Sequence, residues 1–263
     1  MSSEVEGGDM AGSASVPKSP DRGEDGPMDR AEEFIQLFNK VAHFLSQLVI
    51  PQNFAKFWTL VDSASVNSAA VRANAGDLKQ FANLRNAILH DAEYPAHIVA
   101  TPSIEALSKF RKVVRDVIEP PRLIPTFARH VRCFSPSDTL SAALGFMREH
   151  DFSQVVVKGV DGKLGMITVE GIAWRLADGI SGTLPPADAA AIGEIVALEP
   201  PGAFRVMDAR KNIFDAVDAF RNSIRRDSTR LSAILITENG DLEEEPIGFI
   251  TPSDLVLNAR LPQ

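Results

Sequence analysis

The sequence predicts an α+β protein, an N-terminal α-helical bundle followed by two α/β units of like design. Three observations predict it. Apolar residues recur at three- and four-residue spacing across roughly residues 29–120, the mark of amphipathic helices. After residue 122, short β-branched runs joined by turn residues take over. There the order helix, strand, turn, strand, helix occurs twice, so this part is an internal duplication whose two units pack together.

Residues 1–28 are rich in Gly, Ser, Pro and acid, have little to bury, and are expected to be disordered. The helical domain takes residues 29–121. In "EEFIQLFNKVAHFLSQLV", Phe34, Leu37, Phe38, Val41, Leu45 and Leu48 form one stripe. "DLKQFANLRNAILHD" repeats the pattern through Leu78, Phe81, Leu84 and Ile88, and "TPSIEALSKFRKVVRDVI" through Leu107, Phe110, Val114 and Val117. Thr101 is the expected N-cap of that last helix, with Pro102 at its first position. Pro120 and Pro121 end it and mark the boundary.

The first α/β unit is assigned residues 122–184 and the second 185–263. In the first, "DTLSAALGFMREH" is a helix with Leu140, Ala143, Leu144 and Met147 inward. "SQVVVKGVDGKLGMIT" is strand, Asp-Gly turn and strand, and "VEGIAWRLADG" a helix. The second unit has a helix with Ile213, Val217, Phe220 and Ile224 inward, then "SAILITENGDLEEEPIGFIT" and a last helix from "PSDLVLNARL". Gly165 of "LGMIT" corresponds to Gly248 of "IGFIT". "ISGTLPPADAA" reads as a linker, and "AIGEIVALEP" as the start of the second copy.

Composition narrows the function. A net charge of −8 argues against a protein that lives on duplex DNA, while leaving room for a local basic site. Cys133 is the only cysteine, which excludes an internal disulfide and a cysteine-rich zinc site; its "VRCF" setting suits a small core residue. No apolar run reaches the length of about 18 residues that a transmembrane helix needs, so no membrane partner is expected. The N-terminus lacks a secretion signal, and the simplest reading is a cytoplasmic protein.

The most specific motif is "IGFITPSDLV". A strand should end at Ile250 and a helix begin at Pro252, and helix N-termini offer unpaired N–H groups that suit phosphate. A carboxylate one turn in can take both hydroxyls of a ribose. The same letters also make a plain helix start, with Thr251 as N-cap and Asp254 as its capping-box partner; the two roles are compatible. "SPSD" at 135–138 has the same shape and reads as capping alone. The two units resemble a tandem pair of CBS domains, a Bateman module. That family's pattern is Gly, two apolar residues, Ser or Thr, two free positions, then Asp, and Gly248, Thr251 and Asp254 fit it throughout. The resemblance implies that Thr251 faces ligand phosphate, that Asp254 accepts from ribose hydroxyls, and that AMP, ADP or ATP is the regulatory ligand. The first copy keeps Gly165 and Thr168 but has Gly171 in place of the Asp, and Glu170 falls one position early. One good nucleotide site or none is therefore expected. Arg210, Lys211, Arg225, Arg226 and Arg230 are the basic residues available for phosphates.

Within the helical domain, "NLRNAILHD" holds Arg85, Asn86 and His90. On a helix, Asn86 and His90 would share a face, with Arg85 beside them. A histidine moves protons near neutral pH, and an arginine gives a permanent charge to a phosphate. These three residues and the helical context resemble the HEPN superfamily, which implies a homodimer and metal-independent RNase chemistry that uses the 2′-hydroxyl of RNA. The structural alternative is that His90 merely ends a helix, where a cation suits the dipole, with Asp91 or Glu93 as partner. No metal is expected, because no His or acidic pair has ligand spacing. Two functions follow. One is an adenine-nucleotide sensor that controls an RNase domain. The other is a non-enzymatic regulatory or scaffold protein whose helical domain mediates dimerisation or partner docking.

Overall fold

The computed structural model describes residues 27–49, 56–90, 97–179, 190–196, 199, 202–226 and 230–257. The tail expected to be disordered lies outside them, except that Pro27 and Met28 already belong to the first helix. The bundle is built from α1 (Pro27–Leu48), α2 (Phe57–Asn67), α3 (Ala69–Ile88) and α4 (Ile104–Ile118). Its core joins the three sequence stripes: Phe34, Phe38, Val41, Leu45, Leu78, Phe81, Ile88, Leu107 and Phe110 are all buried. The Phe110 ring lies 4.6 Å from that of Phe34 and 4.5 Å from that of Phe81, so α1, α3 and α4 meet at one aromatic knot. Leu48, at the end of its stripe, is exposed. The N-cap of α4 is Ser103, not Thr101: its hydroxyl accepts from the Ala106 N–H at 3.1 Å. Serine outranks threonine as a cap and stands nearer the apolar stripe. Between α3 and α4, the pair β1 (Leu89–His90) and β2 (His97–Ile98) runs antiparallel.

The duplication is visible strand for strand. After α5 (Leu123–Thr126), the first unit contains β3 (Cys133–Phe134), α6 (Leu140–His150), β4 (Gln154–Lys158), β5 (Leu164–Thr168) and α7 (Val169–Gly179). After α8 (Gly193–Val196), the second contains β6 (Phe204–Asp208), α9 (Ile213–Arg226), β7 (Ala233–Thr237), β8 (Gly248–Ile250) and α10 (Pro252–Leu257). In each sheet the first strand is parallel to the second and the second antiparallel to the third. Both leading strands, β3 and β6, are additions to the sequence reading. Their short, half-buried runs lack the continuous apolar stretch of β4 and β7.

Strand alternation builds the layers. Val155, Val157 and Ile167 of the first sheet face their own helices, and Val156, Leu164 and Met166 face the second sheet. Ile234, Ile236 and Ile250 face α9 and α10, and Ala233 and Leu235 face back across. The two sheets thus pack against each other through a shared apolar layer. Leu144 and Ile224, expected inward, are 38% and 71% exposed. In α9 the buried stripe runs instead through Ile213, Ala216, Ala219, Phe220 and Ser223, which rotates Ile224 off the core face.

The segment before each unit packs on the other unit. Leu123 and Phe127 are buried in the second core, and Ala128 bridges to Gly248. Ile192 and Ile195 are buried in the first core, and Ala191 bridges to Thr139. Thus Ile192 and Ile195 of "AIGEIVALEP", expected to open the second copy, pack in the core of the first unit. The 184/185 boundary and most of "ISGTLPPADAA" lie outside the described residues. The corresponding glycines make room for these crossings. A Cβ on Gly248 would lie 2.7 Å from the Phe127 carbonyl oxygen, and one on Gly165 3.0 Å from Val196 Cγ1. The bundle meets the second unit where Ala69 and Ala70 of α3 pack with Phe214 of α9 and Arg72 pairs with Asp218.

Candidate functional site

The second unit's strand-to-helix turn is closed by its own carboxylate. Asp254 Oδ2 accepts from the Thr251 N–H at 2.7 Å and from the Thr251 hydroxyl at 2.8 Å. The Thr251 oxygen in turn accepts from the Asp254 N–H at 3.2 Å. This is the reciprocal capping box read from the sequence. The other oxygen, Oδ1, accepts from Arg129 Nη2 at 2.9 Å. Arg129 arrives because Ala128 bridges to Gly248 at the start of β8, and its own N–H donates to the Ile247 carbonyl. Burial works to raise the Asp254 pKa, but the hydrogen bonds from Arg129 and Thr251 outweigh it and hold the carboxyl below its ordinary 3.8. The result is an ionised carboxylate beside a guanidinium at the end of a strand.

The first unit's turn has the same bonds with a different donor of the carboxylate. The Gly171 N–H donates to Thr168 Oγ1 at 3.0 Å, as Asp254 does to Thr251. Where Asp254 would have its counterpart, Glu199 supplies the oxygens. Its Oε1 accepts from the Thr168 N–H at 2.6 Å, and both oxygens lie 3.1 Å from the Thr168 hydroxyl. A Cβ on Gly171 would sit 1.9 Å from Glu199 Oε1. The missing side chain is therefore what admits Glu199. Burial pushes the Glu199 carboxyl up, the bonds from Thr168 pull against it, the neighbouring Glu170 adds repulsion, and the net result lies above the ordinary 4.5.

Sequence reasoning missed both Arg129 and Glu199. The signal for Glu199 was the vacancy at Gly171; finding its occupant required knowing that the chain crosses between units. Of the basic residues nominated for phosphate, Arg210 is held by Asp208, which it keeps at a pKa of about 2. Lys211 and Arg230 are exposed, and the side chains of Arg225 and Arg226 lie outside the described residues. "SPSD" at 135–138 is a turn rather than a helix cap: Asp138 accepts from the Ser135 N–H, and Thr139 caps α6. Thr139 takes the cap because its hydroxyl reaches the Ala142 N–H at 3.2 Å.

In the bundle, Arg85 stands in the last turn of α3 with Nη1 3.4 Å from Asn86 Oδ1 and its guanidinium 6.0 Å from the Phe38 ring centroid. Its Nε is buried with no hydrogen-bond partner among the described residues. Asn86 is exposed. Asn86 and His90 do not share a helix face. The helix stops at Ile88, Leu89 is extended at φ −103°, ψ 108°, and His90 pairs through its backbone with His97. The antiparallel pairing draws the chain out of the helix before the histidine. The side chain of His90, and all of Asp91 and Glu93, lie outside the described residues. Among the described residues no group of three or more His, Cys, Asp or Glu is placed to hold a metal ion. No described helix is long and apolar enough to cross a membrane.

Residues 124–178 match the family model of the CBS domain. This chain carries a CBS domain. The match runs from Ile124 in the crossing segment into α7 and contains Thr168 and Gly171, whereas Glu199 lies beyond it. No curated protein matches the chain. Solved structures similar to it include Hypoxic Response Protein I with two coordinated zinc ions, 24% identical, covering 54% of this chain and 99% of that one at a TM-score of 0.39. Others are a putative acetoin utilization protein from Vibrio cholerae (14% identical, 52% and 89% covered, TM-score 0.40) and CBSX2 in complex with AMP (18%, 53% and 96%, 0.38). Around the CBS domain the architecture is α+β, a helical region followed by a CBS-type α/β region.

Proposed function

We propose that this is a regulatory protein that senses adenine nucleotide through its α/β half and passes the signal to its helical bundle. One observation carries the reading: Asp254, ionised and anchored by Thr251, stands beside Arg129 at the end of β8. An anchored carboxylate is an acceptor for ribose hydroxyls, and a guanidinium that can turn from Asp254 to a phosphate is a ready partner for the charged end of AMP, ADP or ATP. The contact of Phe214 and Asp218 with α3 supports the coupling. A ligand that favours one setting of α9 biases the bundle packed against it. The bundle then acts as the dimerisation or docking element. Calorimetric titration of the full chain with AMP, ADP and ATP tests the reading. Wild type should bind at least one of them and Asp254→Ala none; equal binding by both chains would remove Asp254 from the site.

A second reading, metal-independent RNA cleavage by the bundle, has in its favour the Arg85 Nε, which lacks a hydrogen-bond partner among the described residues, and the exposed Asn86. Labelled RNA incubated in EDTA should then be cut by wild type and left whole by His90→Ala. Cutting that survives the substitution would dismiss the chemistry.

A further inference from the structure

We infer that Glu199 decides which half of the chain takes nucleotide: it occupies the first unit's turn with the chain's own carboxylate and leaves the second as the sole site. The inference rests on the nucleotide reading above. Three features of the first turn support it. Thr168, whose N–H and hydroxyl both donate to Glu199, is only 6% exposed, whereas Thr251, tied in the same way to Asp254, is partly exposed. The space an aspartate at 171 would use is filled, since a Cβ there falls 1.9 Å from the Glu199 oxygen. The charge is also wrong for a phosphate. Glu199 has Glu170 for a neighbour and no ion pair among the described residues, whereas Asp254 has Arg129.

The exchange is reciprocal in origin. Each crossing segment delivers one charged side chain to the other unit's turn, Arg129 to the second and Glu199 to the first. The cation reinforces an aspartate already present and remains able to turn to an anion. The anion replaces the aspartate and closes the turn. Gly171 and Glu199 therefore form a matched pair, and converting the first turn to the second requires changing both.

Calorimetry on the full chain with AMP and with ATP tests this. Wild type should bind one equivalent per chain, and Gly171→Asp with Glu199→Ala should bind two. Adding Asp254→Ala to that double variant should return it to one. Two equivalents with wild type, falling to one in Glu199→Ala, would make Glu199 a ligand acceptor and overturn the inference. A double variant that stays at one equivalent would overturn it as well. No binding by wild type would sink the nucleotide reading and this inference with it. Glu199→Ala alone removes atoms without adding any and guards against a folding defect in the double variant. In it the Thr168 amide should exchange with solvent about tenfold faster, for loss of one charge-assisted bond. Unchanged protection there would show that Glu199 does not sit on the turn.

Discussion

The two strand-to-helix turns share a design and differ in the source of one carboxylate. Both begin with a threonine whose N–H and hydroxyl donate to a carboxylate, and both have the next-turn N–H donating back to that hydroxyl oxygen. In the second turn the carboxylate is three residues along the chain; in the first it comes from Glu199. A local capping box can be kept with little outside help. A distant one ties the turn to the packing of the crossing segment. What the comparison teaches is that a missing motif residue need not mean a missing chemical group, because the group can arrive from elsewhere in the fold.

The largest contrast should come from the glycines that admit the crossings. Gly248→Ala sets a methyl against a main-chain oxygen at 2.7 Å, and Gly165→Ala sets one against the end of a valine at 3.0 Å. Backbone yields less readily than a side chain. Urea unfolding should place Gly248→Ala near the upper end of the ~1–3 kcal/mol range for overpacking and Gly165→Ala near the lower. Equal costs would mean that the two crossings are not held as described.

Next in size is Asp254→Ala, which leaves the Thr251 N–H and the Arg129 guanidinium without their acceptor. It should cost about 1–3 kcal/mol in the same assay. Arg129→Ala should cost less, about 1 kcal/mol or under, because its side chain is 40% exposed and water screens the pair. If Arg129→Ala proved the more damaging of the two, the guanidinium would be packing rather than pairing.

The smallest effect is the opposite pH dependence of the two carboxylates. Asp254 titrates below 3.8 in the folded chain, so its contribution is present above that pH and is lost as the pH falls through its folded value. Glu199 titrates above 4.5, so the folded chain binds its proton first and gains stability as the pH falls through that value toward 4.5. On acidification wild type should therefore lose stability relative to Asp254→Asn and gain it relative to Glu199→Gln. Carboxyl shifts followed by NMR should show Glu199 taking its proton well before Asp254. The reverse order would refute the environments assigned to both.

Much of the fold was legible because its periodicities are strong. Phe34, Phe81 and Phe110 announced the bundle core, and the repeated "LGMIT" and "IGFIT" announced the duplication. The leading strands were not legible, since Cys133–Phe134 and Phe204–Asp208 are too short or too exposed to make an apolar run. The end of α3 was lost for a related reason. The pattern in "NLRNAILHD" continues as a helix, and the pairing of Leu89 and His90 with Ile98 and His97 stops it. At the candidate site, Thr251 and Asp254 were readable because every contact between them lies within four residues. Arg129 and Glu199 were not, because the crossing that delivers them is a property of two packed cores, and one sequence does not display which core a four-residue apolar segment will join.

The most direct test of the account is a double-mutant cycle between positions 171 and 199, read by urea unfolding. In wild type, Gly171→Ala must push the Glu199 carboxylate off Thr168 and should destabilise. In the Glu199→Ala background the carboxylate atoms nearest that methyl are gone, alanine inside a helix is favoured over glycine by about 1 kcal/mol, and the substitution should stabilise. A coupling of at least about 1 kcal/mol with that change of sign is the expected result. Additive effects, with Gly171→Ala acting alike in both backgrounds, would contradict it.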